Sequence, residues 1–119
     1  YEVNKLSAEL GNADVELVRK ELGTEFDMIV HEPDGILEIG QAGHSKASGI
    51  ERLCASLGIA KEDTYAFGDS ANDVEMLEFV AHGIAMGNGT DVAKNAAEFV
   101  TTDIHKDGIW NGLKHYGLI

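Results

Sequence analysis

The run Phe67-Gly68-Asp69-Ser70-Ala71-Asn72-Asp73 sets two carboxylates and an amide directly after Thr64-Tyr-Ala-Phe67, a short strand-like stretch, and ahead of an apolar helical one. Aspartates four residues apart fall on one side of a first helical turn, where a hard divalent cation holds them together against their mutual repulsion. Ligands of open α/β sheets bind at such strand ends. The chemistry that suits this set is that of a magnesium and phosphate site. Gly68 permits the sharp turn, and Ser70 reads as the cap of a helix from about Ala71 to Val80. The same residues have a purely structural reading, in which Asp69 and Asp73 cap the helix and favour its positive end.

Other chemistry is less well supported. Lys46 stands at the start of a helical pattern, where its ammonium could reach the strand ends or simply be a solvated surface charge. Ser45 before it is a plausible N-cap, and His44 reads as a loop residue. His31, His44, His82, His105 and His115 are scattered, without the spacing of a zinc site. Met86-Gly87-Asn88-Gly89-Thr90 is a glycine-rich turn between a strand and a helix. It lacks the lysine of a P-loop and the dinucleotide fingerprint, so a close-packed turn capped by Thr90 is the better reading. A calcium loop starting at Asp69 fails, because its third position is Ala71 and its sixth, where glycine is needed, is Val74. No Gly-x-Ser-x-Gly hydrolase elbow occurs.

The elements that must position these residues follow from periodicity. Tyr1 to Leu10 suits a strand. Gly11-Asn12 makes a turn, and Asn12 can cap a helix with Val15, Val18 and Leu22 on one face, ended by Gly23. Phe26–Val30 and Ile36–Ile39 are strand-like around the turn Pro33-Asp34-Gly35. Gly40-Gln-Ala-Gly43 reads as a flexible joint. Beyond Ser45 helix and strand alternate: a stripe of Ala47, Ile50, Leu53, Cys54 and Leu57 ended by Gly58, strand 64–68, helix 71–80, strand 82–86, helix 91–97, strand 98–101 and a last helix near 108–116. Such alternation predicts an α/β fold with a parallel sheet, its strands ordered outward from 64–68 by right-handed crossovers.

Composition narrows the function class. The 119 residues carry 21 acidic and nine basic side chains, a formal charge of −12 that repels nucleic acid and anionic membranes. The single cysteine, Cys54, reads as a small buried hydrophobe. No apolar run approaches membrane-spanning length and no signal-peptide pattern opens the chain, so the expectation is a cytoplasmic protein. The start at Tyr1 reads as internal.

Lys46, then Gly68-Asp69-Ser70-Ala71-Asn72-Asp73 with Met76-Leu77 behind it, then Ile84-Ala85-Met86-Gly87-Asn88 and Asp107-Gly108-Ile109, resemble the Cof-type phosphatases of the haloacid dehalogenase superfamily in motif order and spacing. The resemblance covers roughly residues 35–116. It implies a Rossmann-like parallel sheet, here its C-terminal half at residues 44–119, preceded by the end of an α+β cap domain at residues 1–43. It implies a Mg2+-dependent hydrolase that removes phosphate from small phosphorylated metabolites, such as sugar, flavin or pyridoxal phosphates, through an aspartyl-phosphate. Lys46 matches the lysine that binds the transferring phosphoryl group, Asp69 a direct Mg2+ ligand, Asn72 a phosphate-contacting amide, and Asp73 a carboxylate holding the metal through water.

The sequence departs from that family in one large respect. The nucleophile and general acid form an Asp-x-Asp after the first strand of the core, and this sequence contains no Asp-x-Asp. The serine or threonine signature expected ahead of the cap is likewise missing. The chain alone is therefore expected to be inactive. Strand 64–68 is expected to present an edge that pairs with the missing N-terminal half of the same protein or with another copy. Two alternatives stay open: a non-catalytic Mg2+ or phosphate-binding module, and part of a phosphomutase.

Overall fold

The computed structural model describes residues 5–9, 14–31 and 35–119. The chain divides into two compact units, Tyr1–His44 and Ser45–Ile119. The first contains β1 (Lys5–Glu9), α1 (Val15–Leu22), β2 (Phe26–His31) and β3 (Ile36–Gln41). Its three strands form an antiparallel sheet in the order β1-β3-β2. The register sets Leu6 and Met28 beside Ile39, and Ala8 and Val30 beside Leu37, so period-two alternation makes one face apolar. Leu37 is its most deeply buried member. On the other face Lys5 Nζ lies 2.7 Å from Glu38 Oε2 and His31 Nε2 3.4 Å from the same oxygen. The Lys5 bond, with His31 adding to it, holds the Glu38 carboxyl below its usual range.

Two expectations for this unit change. The cap of α1 is Asp14, whose carboxylate accepts from the amides of Glu16 at 3.0 Å and Leu17 at 3.3 Å. Asn12, the expected cap, lies outside the described residues, as do Tyr1–Asn4 and Leu10 of the expected first strand and Pro33 and Asp34 of the expected turn. Gly40 and Gln41 belong to β3 rather than to a joint, because the ladder pairs Gln41 with Phe26. Gly23 ends α1 as expected, its amide returning to the Arg19 carbonyl.

The second unit alternates as the periodicity predicts: α2 (Lys46–Leu57), β4 (Tyr65–Gly68), α3 (Val74–Phe79), β5 (His82–Ala85), α4 (Asp91–Ala96), β6 (Phe99–Val100) and α5 (Gly108–His115). The three strands are parallel, in the order β4-β5-β6, so the unit is α/β with its strands running outward from β4. Ser45 caps α2 in a reciprocal box with Ser48, and Gly58 closes it at φ +67, a conformation L side chains rarely adopt. The core is Ala66, Leu77, Val80, Ile84, Ala85, Met86 and Ala93. At the foot of the strands Glu98 Oε2 accepts from the Tyr116 hydroxyl and bonds His82 Nδ1, each at 2.9 Å, which ties the end of α5 to β5.

No residue of the α2 stripe is fully buried. Leu53 and Leu57 are 57% and 63% exposed, and Cys54 is half-buried rather than buried. A helix face reads the same in sequence whether or not its partner is present. Gly49, on the same helix, has nothing within 4 Å of where a Cβ would stand. Gly49→Ala is expected to raise stability by about 0.5–1 kcal/mol, read as a higher urea midpoint, because alanine loses less backbone entropy in a helix.

Candidate functional site

The parallel register aligns Gly68, Ala85 and Val100 at the C-terminal ends of three adjacent strands. The segments that follow, Asp69–Asp73, Met86–Thr90 and Thr101–Asp107, therefore emerge at one edge of the sheet. Backbone bonds join them: the Met86 amide to the Gly68 carbonyl at 2.9 Å, the Gly87 amide to Thr102 at 3.1 Å, and the Thr90 amide to Asp69 at 2.8 Å. Asn88 Oδ1 accepts from the Ile104 amide at 2.9 Å. The glycine-rich turn is thus spent on packing and on its neighbours. Thr90 stands at the N-cap of α4 as expected, but its side chain makes no cap bond and its hydroxyl lies 3.4 Å from the Asp69 carbonyl.

The expected helix 71–80 is in fact two elements. Ala71–Asp73 forms a single 3-10 turn, closed by the Asp73 amide on the Ser70 carbonyl at 3.0 Å, and α3 starts at Val74. The tighter turn brings the Asp73 side chain back over its own start. Asp73 Oδ2 accepts from the amides of Asp69 at 2.9 Å and Ser70 at 3.2 Å, while Oδ1 accepts from Lys46 Nζ. Asp73 is only 4% exposed. Burial raises its pKa, but the Lys46 bond and the two backbone amides outweigh that and hold the carboxyl below its ordinary value. Gly68 owes its identity to this side chain, since a Cβ there would stand 2.6 Å from Asp73 Cβ.

The four candidate residues therefore differ in their surroundings. Asp73 is buried and turned to Lys46 and the loop amides. Lys46, at the start of α2, has half its side chain exposed. Asp69 is exposed, and the bonds that hold it are made through its backbone. Asn72 is half-buried and accepts from the Ser70 hydroxyl at 2.6 Å through Oδ1, which leaves its NH2 group to donate elsewhere. Lys46 thus meets the buried aspartate through its ammonium, and Asp69 and Asn72 belong to the loop that the same aspartate holds. Among the described residues no three His, Cys, Asp or Glu side chains come together as a metal cage. Mg2+ needs no such cage, because it keeps several waters and takes one or two carboxylates. The Asp69 oxygens are hard donors and fit that demand.

Sequence reasoning missed the Lys46–Asp73 pair, whose partners are 27 residues apart. It also missed the hold of Gly89 and Thr90 on Asp69, although the close-packed turn pointed to it.

Comparison with known proteins identifies the family. The haloacid dehalogenase-like hydrolase family matches residues 2–113. The putative phosphatase YkrA of Bacillus subtilis is 42% identical over 96 residues, 80% of this chain and 37% of that protein. The 5-amino-6-(5-phospho-D-ribitylamino)uracil phosphatase YitU of the same organism is 42% identical over 84 residues, 71% of this chain and 31% of that protein. Among solved structures, the subclass IIB sugar phosphatase BT4131 superposes on the whole chain with a TM-score of 0.90 and 31% identity, over 45% of its own length. This chain thus spans less than half the length of each of these three. By the extent of the family match, the chain belongs to the haloacid dehalogenase-like hydrolases, with a COF-like hydrolase among the solved structures it resembles.

Proposed function

We propose that the chain supplies the Mg2+- and phosphate-binding part of a phosphatase for small phosphorylated metabolites. The observation that carries this reading is the clasp of Asp73 on both Lys46 and the Asp69 loop, which places an ammonium and an exposed carboxylate at one strand end. In this reading Lys46 binds and neutralises the phosphoryl oxygens, Asn72 donates to them, Asp69 would ligate Mg2+ directly and Asp73 would hold it through water. Bound Mg2+ would supply charge stabilisation to the phosphoryl group. Residues 1–43 are the end of a cap domain and residues 44–119 the latter half of the catalytic core. The named relatives act on a sugar phosphate and on a phosphoribityl compound, so a phosphorylated polyol or sugar is the substrate class proposed.

The route is an aspartyl-phosphate, and its nucleophile is not in this sequence. The remainder of such an enzyme, or a second copy, would pair with β4, which lies at the edge of its sheet, and cover Leu53 and Leu57. No helix of the described residues is long and apolar enough to cross a membrane, and a cytoplasmic enzyme is proposed. The lack of an Asp-x-Asp favours one second reading, a non-catalytic Mg2+-binding module. The purified 119-residue chain is expected to bind Mg2+ weakly, to lose that binding on Asp69→Asn, and to release no phosphate from p-nitrophenyl phosphate. Metal-dependent phosphate release by this chain would overturn the missing-nucleophile reading, and unchanged Mg2+ binding in Asp69→Asn would overturn the site.

A further inference from the structure

Asp69 carries an exposed carboxylate on a backbone held from two sides. Its amide donates to Asp73 Oδ2 at 2.9 Å, and its carbonyl accepts from the Thr90 amide at 2.8 Å. Gly89 lies against the same peptide. A Cβ there would stand 2.9 Å from the Met86 oxygen, 3.0 Å from the Asp69 oxygen and 3.1 Å from Asp69 Cα, closer than ordinary van der Waals contact. The direction of a short side chain is set by its Cα–Cβ bond, and therefore by whatever holds its backbone. Placement of a metal or substrate ligand tolerates only about 0.5 Å of error, so it depends on such supporting contacts.

We infer that the Gly89-Thr90 turn sets the position of the Asp69 carboxylate, with Thr90 a positioning residue acting through its main-chain amide and Gly89 the residue that lets the turn approach. This rests on the proposal that Asp69 is a metal ligand. It gives the glycine-rich turn a role toward a cation, the amides of Gly87, Gly89 and Thr90 being already committed to Thr102, Met86 and Asp69.

Thr90→Pro is the discriminating change. Thr90 has φ −67 and ψ 157, within the range of proline, and its side chain makes no helix-cap bond. The substitution replaces the amide hydrogen that Asp69 uses with the ring Cδ, which stands in the path of the Asp69 carbonyl and displaces it, while the Lys94 amide still bonds the residue-90 carbonyl. Thr90→Val keeps the amide and loses only the hydroxyl. The probe is Mn2+, whose paramagnetism broadens nearby amide signals in NMR spectra of the full 119-residue chain. Wild type and Thr90→Val are expected to lose the Asp69 and Ser70 signals at the same Mn2+ concentration, and Thr90→Pro to need about tenfold more, with β4 and β5 signals unchanged. Without metal, Thr90→Pro is expected to shift the Asp69 and Ser70 amides and Thr90→Val is not.

Thr90→Pro titrating like wild type, or leaving those shifts in place, would overturn the inference. Should Mn2+ leave the wild-type Asp69 signal untouched, the metal-ligand reading fails, and the metal-free shifts alone decide the positioning role. If Thr90→Pro does not fold, Gly89→Ala, which crowds the same carbonyl with the amide intact, is read by the same two measurements.

Discussion

Asp73→Ala is expected to destabilise the Ser45–Ile119 unit by about 3 kcal/mol, measured by urea denaturation. The estimate follows from what the carboxylate holds. It accepts from two backbone amides and one ammonium while buried. Charge-assisted bonds contribute about 1.5–3 kcal/mol each at most, and a half-exposed Lys46 is partly rehydrated once its partner is gone. The larger part of the loss is the two amides left facing a cavity. Asp73→Asn, which keeps the volume and one acceptor, is expected to lose less. A stability unchanged within 0.5 kcal/mol, about the noise of a surface substitution, would mean that the clasp is not formed in solution.

The sign of the pH effect follows from the same contacts. The folded-state pKa of Asp73 lies below its ordinary value of 3.8. Its contribution is therefore complete above the unfolded-state value and is lost as pH falls through the folded one. The gap in stability between wild type and Asp73→Ala should stay constant from neutral pH down to about pH 5, begin to narrow near the unfolded-state value of about 4 and go on narrowing as pH falls through the folded-state one. A gap that does not narrow at all as the pH falls below the unfolded-state value would show that the ionised form is not what matters.

Gly83→Ala is expected to destabilise the same unit by about 3 kcal/mol or more, although it adds one methyl group. A Cβ on Gly83 would stand 2.3 Å from the Leu77 carbonyl oxygen and 3.2 Å from Leu77 Cα. Both partners are backbone, so no rotamer change relieves the contact. Helix α3 must move away from β5 by about 1 Å to reach an ordinary C···O separation of about 3.3 Å. Leu77 and Ile84 are core side chains on the two elements that would part. The measurement is the urea midpoint with the m-value as a check on two-state behaviour. Gly49→Ala, the same chemical change on an open helix face, has the opposite expected sign, so the pair separates close approach from helix propensity.

The alternation of helix and strand after Ser45 was legible because each element buries one face, and that writes a period into the sequence. Ser45, Gly23 and Gly58 were legible as helix ends because capping is a local exchange of hydrogen bonds. The order β4-β5-β6 followed from the handedness of crossovers, which backbone chirality sets. Lys46, Asp69, Asn72 and Asp73 stood out as a set because their residue types and order resemble a known family. The comparisons place the chain among those hydrolases.

The rest depended on contacts that only the folded chain makes. The break of the expected helix at Val74 comes from Asp73 reaching back to the Asp69 and Ser70 amides, and no spacing distinguishes that turn from a continuous helix. Periodicity made Leu53 a core residue, but exposure is set by neighbours that a stripe does not name. Gly68 looked like a turn residue, and its φ is not left-handed; it is glycine because Asp73 needs the space. Local chemistry alone thus determined the elements, their ends and the residue types available at the site. Which carboxylate is buried, which faces solvent and which backbone contacts aim it were decided by packing, because those depend on separations of a few ångströms between segments 20 or more residues apart, such as Asp69 and Thr90 or Lys46 and Asp73.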